Sequence, residues 1–484
     1  MNNKIIFTLT ILLLLGFAKT SGQNIFTLED AIQRAKNQSP DSKTAETRKE
    51  TSYWQYRSFK AGYNPQLVLS GAAPTYTLQY VPVQQPDGSI AYRPINQTNP
   101  GVNLGLEQPL LLTGGKISAN TSLYYFNSIS SHTTQWSGQV MNIQLSQPLF
   151  AFNAYKWNRR IQPYVYEESK RSYVERVEFI SSQVASEFFD VLLQQINLQI
   201  AKFNLANNDT IYEIEQGRYN MGTTSKDKLL QVELQLLRSK QDVAQANLDL
   251  QTNRLRLRTY MGLKDGEEFQ LIMPEIIPQF EITVDDAMHY AKLNRADYIA
   301  FERRRIEAER DVAQAKGNRF STSLNATFGL NNSALVANNV YISPQQQKTL
   351  NVGFNIPVLN WGRNHASMQT ALANKRLNDY VIEQDEINFE QTIVTQVLQF
   401  EMLRLQIEIT KKADEVAQER YNVSQNRYLI GKIDITNLNI ALTEKDNAKR
   451  SYIQALKSFW SAYYNMRQLT LYDFSTKQLL YKSE

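Results

Sequence analysis

The sequence predicts a mixed fold in which amphipathic strands alternate with very long helices, and in which one structural unit occurs twice. The stretch from Gly362 to Arg427 contains no proline and no glycine other than Gly362 itself. At 1.5 Å per residue, about 65 residues form a helix of about 95 to 100 Å, several times longer than an ordinary globular helix. Such helices must pack side by side in coiled-coil-like layers.

Period-two alternation predicts strands in both halves of the chain. From Phe320 to Leu330, and again from Leu350 to Ile356, large apolar residues alternate with Asn, Ser, Thr or Gly. This pattern is typical of a strand with one apolar and one polar face. The first half has similar stretches near residues 66–70, 102–107, 118–125 and 139–149. A soluble sandwich alternates in the same way, so the strands alone do not decide between a sandwich and a membrane barrel.

Two constant offsets reveal the internal repeat. At an offset of 256, Phe26–Ala31 matches Ile282–Ala287, and both segments read as helix starts with a threonine N-cap. At an offset of 209, a gapless register matches residues 148–246 with residues 357–455 and retains the motif Arg-Tyr-x-x-Gly in both copies. The offsets differ by 47, so the first copy holds 47 extra residues in its strand-like part. The sequence leaves open whether they form a hairpin or an extracellular loop.

These patterns predict the domain organisation. Residues 1–22 are a signal peptide. The first repeat covers residues 23–280, with strands at about 64–150 and long helices at about 152–262; the second covers residues 281–484, with strands at about 319–359 and long helices at about 362–470. The long helix of the first copy is expected from about Pro163 to Gln216.

The first 22 residues have the layout of a secretory signal peptide. Lys4 precedes an apolar run from Ile5 to Phe17, which is shorter than the roughly 20 residues that a membrane-crossing helix needs. No comparable run follows, and the mean hydropathy is −0.44. A mature protein of this kind that enters a membrane must therefore do so as β-strands.

Composition excludes several function classes. The chain has no cysteine, which removes disulfides, thiolate chemistry and the acylated cysteine of a lipoprotein. Its histidines, His132, His289 and His365, are far apart and predict no zinc site. The net charge of +5 contains no basic block, which argues against a nucleic-acid partner. No cofactor or metal is predicted.

The strands imply an oligomer. One chain offers two clear strands in the second copy and at least two in the first, whereas a closed barrel in lipid needs about eight or more and leaves no open edge. Three chains of four strands would give twelve, an even number that closes. The long helices lead to the same conclusion, because a two-sided helix layer is satisfied by continuing around into a tube.

Five segments carry a family resemblance. They are the opening Thr27–Ile32, the strand ends Gln147–Phe150 and Ile356–Gly362, and the two Arg-Tyr-x-x-Gly motifs. In this order, within a duplication, they resemble the TolC family of outer-membrane efflux proteins over essentially the whole mature chain. The resemblance implies a homotrimer with a twelve-stranded β-barrel in outer-membrane lipid and a long α-barrel in the periplasm of a Gram-negative bacterium. It also implies an exit duct for efflux or type I secretion, docked on a periplasmic adaptor (membrane fusion) protein and an inner-membrane pump of the RND, ABC or a similar class.

The resemblance also implies site residues. The two motifs become the helix-to-helix turns of a periplasmic tip where adaptor hairpins dock: Arg218, Tyr219, Gly222, Arg427, Tyr428 and Gly431. A glycine after a long helix is also an ordinary C-cap, which explains the glycines without a partner.

Family members can carry a ring of acidic residues just past the second turn. The matching positions, which form the candidate entrance constriction, are instead Lys228, Gln231, Asn437 and Ile440. This departure puts an acidic gate in doubt. Asp227 and Asp434 lie close by and could substitute, but charge at a helix N-terminus is their simpler role.

Two other function classes fit the sequence less well. A secreted coiled-coil fibre or adhesin also needs long helices and oligomers, but it does not explain strands that recur at the same place in each copy. An enzyme using the acid pairs Asp285–Asp286 or Glu167–Glu168 is disfavoured, because these pairs fit helix-start or surface charge and no catalytic or nucleotide motif accompanies them. No catalytic residue is predicted, and the transported substrate is left open.

Overall fold

The structure is a computed structural model that describes residues 24–263, 269–274, 276–319 and 321–481. The predicted signal peptide and Phe320 lie outside the described residues. The chain divides into two compact units. The first contains the chain up to Arg48, Arg171–Arg295 and the chain from Phe389 onwards; the second contains Lys49–Lys170 and Ala296–Asn388.

The helices of the two copies have equal lengths, which confirms the duplication. Those of the first copy are α1 (Leu28–Gln38), α2 (Pro40–Ala61), α3 (Ala154–Asn220) and α4 (Lys226–Met261). Those of the second copy are α5 (Val284–Asn294), α6 (Ala296–Gly317), α7 (Arg363–Leu429) and α8 (Ile435–Thr470). The successive helices have 11, 22, 67 and 36 residues in both copies. Within the described ranges, no helix combines the length and apolar composition that crossing a membrane requires.

The predicted helix starts are present. The Asp30 amide donates to Thr27 Oγ1 over 3.2 Å, and in the second copy the Asp286 amide donates to Thr283 Oγ1 over 3.1 Å. The long helix of the first copy, predicted to start near Pro163, begins at Ala154 instead. The proline lies inside the helix, because losing one amide donor does not end a helix of this length when its N-terminus is capped earlier. Asn153 supplies that cap, since its Oδ1 accepts from the Lys156 amide over 3.0 Å.

The core of the first unit is built from the inner faces of α1, α3, α4, α5, α7 and α8. Phe188, Phe189, Leu257 and Phe459 are fully buried there, and aromatic rings contact one another across helices, with Phe400 and Phe459 at 5.1 Å between centroids. Contacts of this kind fix the lateral positions of helices that isolated propensity would leave unstable.

The strands of the described residues lie in three sheets. In chain order they are β1 (Asn24–Phe26), β2 (Gln66–Ala72), β3 (Thr77–Gln84), β4 (Ile90–Thr98), β5 (Gly101–Leu110), β6 (Gly115–Ser128), β7 (Thr133–Leu149), β8 (Phe269–Leu271), β9 (Ser321–Ala334), β10 (Gln345–Asn355), β11 (Tyr472–Asp473) and β12 (Gln478–Leu479). Two of the sheets are small, β1 with β8 and β11 with β12. A 3-10 helix, Ala337–Tyr341, connects β9 to β10.

The large sheet lies in the second unit and is antiparallel. Neighbouring strands follow the order β10, β9, β7, β6, β5, β2. Strands β3 and β4 continue β2 and β5 as a two-stranded ribbon, which touches β6 only at Gln97 and Thr98. The 47 extra residues of the first copy therefore form strands rather than an irregular loop.

The two faces of the sheet differ in polarity, as the period-two patterns predict. Leu69, Leu104, Ile143, Phe328 and Leu350 are exposed members of one face, with Leu69 and Leu350 each 72% exposed. The opposite face carries Asn, Ser, Thr, Gln and Gly; its members include Ser118, Ser122 and Asn142, which are buried.

Candidate functional site: the two interhelical turns

Both Arg-Tyr-x-x-Gly motifs lie where a 67-residue helix ends and a 36-residue helix follows. In the first turn the Thr223 amide donates to the Arg218 carbonyl over 2.9 Å, and the Gly222 amide donates to the Tyr219 carbonyl over 2.9 Å. In the second turn Lys432 and Gly431 make the same two bonds to Arg427 and Tyr428, over 2.8 and 2.9 Å. This paired arrangement is the Schellman cap, which needs a left-handed residue after the helix.

Glycine supplies that residue in both turns. Gly222 has φ of 72° and Gly431 has φ of 74°. Side chains other than hydrogen are strained in this region, so the motif's glycine is explained by backbone geometry alone. No atom lies within 4 Å of a Cβ built on either glycine, so the constraint is conformational rather than steric.

The Arg-Tyr pairs, unlike the backbone, differ between the turns. Tyr428 is 4% exposed, and its hydroxyl donates to Glu215 Oε1 over 3.2 Å. Arg218 Nη1 donates to the same carboxylate oxygen over 2.7 Å, and its guanidinium carbon lies 5.9 Å from the Tyr428 ring centroid. Burial, and secondly the Glu215 charge, raise the pKa of Tyr428. Arg218, Glu215 and Tyr428 thus join the end of α3 to the end of α7.

The other two residues of the motifs face outwards. Tyr219 is 39% exposed and Arg427 is also exposed. Of the four Arg-Tyr side chains, one aromatic group and one cation are therefore exposed in the single chain.

A small apolar cluster supports the turns from inside. It joins Ile211 of α3, Val232 of α4, Tyr421 and Tyr428 of α7, and Leu438 and Leu442 of α8. Lys445 of α8 lies over two aromatic faces, with its Nζ 4.5 Å from the Tyr421 centroid and 4.4 Å from the Phe203 centroid. The ends of all four long helices are therefore packed together beside the turns.

The candidate constriction residues lie at the starts of α4 and α8. Lys228 and Asn437 are the third residues of these helices, and their amides donate to the cap side chains Ser225 and Asp434. Gln231 and Ile440 follow one turn later, and all four predicted residues are exposed in the single chain.

The nearby acids act at helix starts. Asp434 is the N-cap of α8, accepting from the Asn437 amide over 2.9 Å and from its side-chain nitrogen over 2.8 Å. Asp227 lies in the first turn of α4. Both positions complement the positive end of a helix dipole, which is the simpler role expected for them.

A cavity of about 220 Å³ lies between these helix starts. Its lining includes Asn208 and Ile211 of α3, Gln231 and Gln235 of α4, and Asn439 of α8. Gln231 thereby contacts the space next to α8, whereas the cavity does not reach Lys228, Asn437 or Ile440.

Glu215 is a site residue that the motifs do not reveal. It precedes Arg218 by three residues, and the matching position of the second copy is Ser424. The only sequence signal is an i,i+3 Glu–Arg pair at a helix end, which is common on exposed helices and does not point to a buried tyrosine. Among the residues that the structure describes, no three His, Cys, Asp or Glu side chains converge in a way that could hold a metal.

An antiparallel sheet with an exposed apolar face, combined with two pairs of very long helices, fits the class of outer-membrane channel proteins. A family model described as outer membrane efflux protein matches residues 31–263 and 288–470. The chain belongs to this family. It is an outer-membrane protein that extends into the periplasm and provides an exit duct for efflux, as the sequence analysis predicts.

Solved structures share the fold. The CmeC outer-membrane channel of Campylobacter jejuni is 15% identical with a TM-score of 0.67, and the match covers 94% of this chain and 87% of that one. VceC of Vibrio cholerae is also 15% identical, with a TM-score of 0.63 and coverage of 92% and 95%. The open-state MtrE channel of Neisseria gonorrhoeae is 15% identical, with a TM-score of 0.62 and coverage of 92% and 88%. No curated protein matches the chain by sequence.

Proposed function

We propose that three copies of this chain form one duct in outer-membrane lipid, through which an inner-membrane pump drives its substrate without any bond being made or broken. The observation that carries the proposal is the large sheet. Its apolar face is exposed, with Leu69, Leu350 and Phe354 each more than 70% exposed, and its outer strands β2 and β10 each have one neighbour among the described residues. A sheet in lipid has to satisfy every backbone group, and joining copies edge to edge does so.

The polar face supplies the lining of such a duct. Alternate residues of all six strands place amide and hydroxyl side chains, including Asn103, Asn120, Asn325 and Asn351, opposite the apolar face. These groups hydrogen-bond water and carry no charge, which suits passage of varied solutes. Family membership favours this duct over a secreted fibre, and it supports a transport role rather than an enzymatic one.

The turns are the proposed docking site for a periplasmic adaptor. Arg218 and Tyr428 are engaged within the chain, which leaves Tyr219 and Arg427 as the exposed contact groups. Tyrosine and arginine are the residue types that most often dominate binding energy at protein interfaces. The constriction at Lys228, Gln231, Asn437 and Ile440 is proposed to lack a ring of acidic side chains at these positions.

Photo-cross-linking in intact cells tests the docking. A photoreactive phenylalanine analogue replaces Tyr219, and a control replaces Tyr380, which is 66% exposed on α7 in the second unit. We expect the Tyr219 variant to capture a periplasmic adaptor anchored to the inner membrane, and the Tyr380 variant not to capture it. Capture from Tyr380 alone, or from neither position in cells that export through this protein, would contradict docking at the turns.

A further inference from the structure

The 47 extra residues of the first repeat form strands at one edge of the large sheet. If each repeat contributed two strands to the wall, neighbouring chains would meet at this edge. If only the four neighbouring strands β6, β7, β9 and β10 formed the wall, as a twelve-stranded barrel requires, its edges in each chain would be β6 and β10. In the structure β5 pairs with β6 over ten consecutive positions, from Gly101 with Tyr124 to Leu110 with Gly115. β2 then pairs with β5 from Gln66 to Ala72. The outer edge of β6 is thus filled by the chain itself.

We propose that each chain contributes six strands, so that the trimer closes an eighteen-stranded barrel in which β2 of one copy pairs with β10 of the next. This inference rests on the trimeric duct proposed above and specifies its wall. The strand directions allow this pairing. In a sheet of six antiparallel strands the two edge strands, β2 and β10, run in opposite directions. Closure therefore continues the antiparallel pattern.

The inserted strands continue both faces of the sheet. Leu67 and Leu69 of β2 lie opposite Leu106 and Leu104 of β5, and these leucines are 38 to 72% exposed on the apolar side. On the polar side, Lys116 Nζ of β6 lies 2.6 Å from Glu107 Oε2 of β5. A surface loop laid over a finished barrel has no reason to keep this period-two register with the wall, whereas a strand of the wall must keep it.

The base of the insertion is fixed to the helices that flank it. Asn153, the cap of α3, donates through Nδ2 to the carbonyls of Leu111 and Leu112 over 3.0 and 3.1 Å. Gln108 Nε2 donates to the Tyr63 carbonyl over 3.0 Å, just after α2. Both ends of the insertion are thus tied down at one end of the sheet. This arrangement makes the hairpin an integral part of the sheet.

The expected consequence is a wider duct. At equal strand tilt and spacing, the barrel radius grows roughly in proportion to strand number, so eighteen strands give a radius about 1.5 times that of twelve. Barrels of 16 to 18 strands leave an aqueous channel between their walls. The membrane part of this duct would then suit larger cargo than a twelve-stranded wall admits.

Disulfide trapping distinguishes an eighteen-stranded barrel from a twelve-stranded one. The chain has no cysteine of its own to interfere. In one panel Ser70→Cys on β2 is combined in turn with Thr349→Cys, Asn351→Cys and Gly353→Cys on the polar side of β10. In the matched panel Ser118→Cys on β6 is combined with the same three β10 substitutions. We expect oxidised outer membranes to contain disulfide-linked dimers and trimers in the first panel and none in the matched panel. Linkage from β6, or from neither strand while the trimer is intact, would overturn the proposal.

Electron cryomicroscopy of the unsubstituted chain in detergent supplies a second readout that does not depend on the cysteine variants. A cross-section of the membrane part with eighteen strands supports the inference. A trimer with twelve strands overturns the inference and leaves the proposed duct standing, whereas a particle that is not a trimer overturns both.

Discussion

The two interhelical turns have the same backbone and different side-chain environments. Each ends a 67-residue helix with the same pair of hydrogen bonds and a left-handed glycine. Yet Tyr428 is buried against Glu215, whereas Tyr219 is 39% exposed. Local sequence therefore sets the backbone conformation of each turn. The residues that neighbouring helices supply decide which tyrosine is buried and hydrogen-bonded.

This difference assigns distinct roles to the two copies. The second turn is tied to the first copy through Glu215, so opening it requires breaking a buried hydrogen bond. The first turn presents its tyrosine outwards and is free to meet a partner. The position that matches Glu215 in the second copy is Ser424, which offers Tyr219 no carboxylate.

Removing the shared carboxylate is the change with the largest expected effect. Glu215→Ala leaves the buried Tyr428 hydroxyl without its acceptor, which costs about 1 to 3 kcal/mol. Amide hydrogen exchange at Gly431 and Lys432 should then accelerate by about 5- to 150-fold, measured by mass spectrometry on peptides that cover both turns. Ser424→Ala, at the matching position of the second copy, is the control and should change little. Equal acceleration in both variants would show that the two turns are held in the same way.

Substituting the glycines tests whether the two turns depend equally on a left-handed glycine. Gly222→Ala and Gly431→Ala each force a side chain into the left-handed region, which costs about 1 to 2 kcal/mol. Because both sites are open around Cβ, exchange at the affected turn should accelerate by about 5- to 30-fold in either copy.

Gly217→Ala is the matched control for these glycine variants, since Gly217 lies inside α3 with open space around it. There alanine should stabilise the helix, by about 0.5 to 1 kcal/mol, and slow exchange. A clearly larger effect at one turn than at the other would contradict their equivalence.

Removing one hydroxyl has the smallest expected effect. Tyr428→Phe deletes a single hydrogen bond while Arg218 still pairs with Glu215, so the cost is about 0.5 to 1.5 kcal/mol and exchange at the second turn rises by about 2- to 12-fold. Tyr219→Phe should leave its own turn unchanged. An equal effect of the two substitutions would contradict the assigned difference in burial.

The stability of the second turn should also depend on pH, and Tyr428→Phe and Tyr219→Phe should differ in this dependence. The folded-state pKa of Tyr428 is raised by burial, so the folded chain keeps this proton at pH values where the unfolded chain, with a tyrosine pKa of about 10, releases it. Stability from this group is fully present below about pH 10 and is lost as the pH rises through the folded-state pKa.

Alkaline proteolysis measures that dependence. Cleavage of the second turn by subtilisin should accelerate above about pH 10 in the unsubstituted chain, and less steeply in Tyr428→Phe. Tyr219→Phe should follow the unsubstituted chain. Identical pH profiles for all three proteins would contradict a role for the Tyr428 hydroxyl.

Much of the fold was predictable because it depends on local pattern. The offsets of 256 and 209 aligned helices that have equal lengths in the structure, and threonine caps marked the starts of α1 and α5. The turns were predictable for the same reason, since a glycine two residues after a helix imposes its own geometry. Period-two alternation located β2, β5, β6, β7 and β10 without reference to their neighbours.

The remainder depends on contacts between distant segments. Period-two alternation marks β2 and β5 as strands, but it does not encode their partners, and pairing between β5 and β6 is what joins the 47 extra residues to the large sheet. The burial of Tyr428 depends on Glu215, 213 positions earlier in the chain. The expectation that α3 starts near Pro163 was wrong because a proline resembles a helix start, whereas Asn153 provides the cap of a helix that begins at Ala154.

The mass of the complex extracted by detergent from outer membranes, determined by light scattering corrected for bound detergent, tests the trimeric duct directly. We expect three chains per particle in that fraction, because the two edges of the sheet and its exposed apolar face cannot be satisfied by one copy. A monomer released without detergent, or an open-ended polymer, would contradict it.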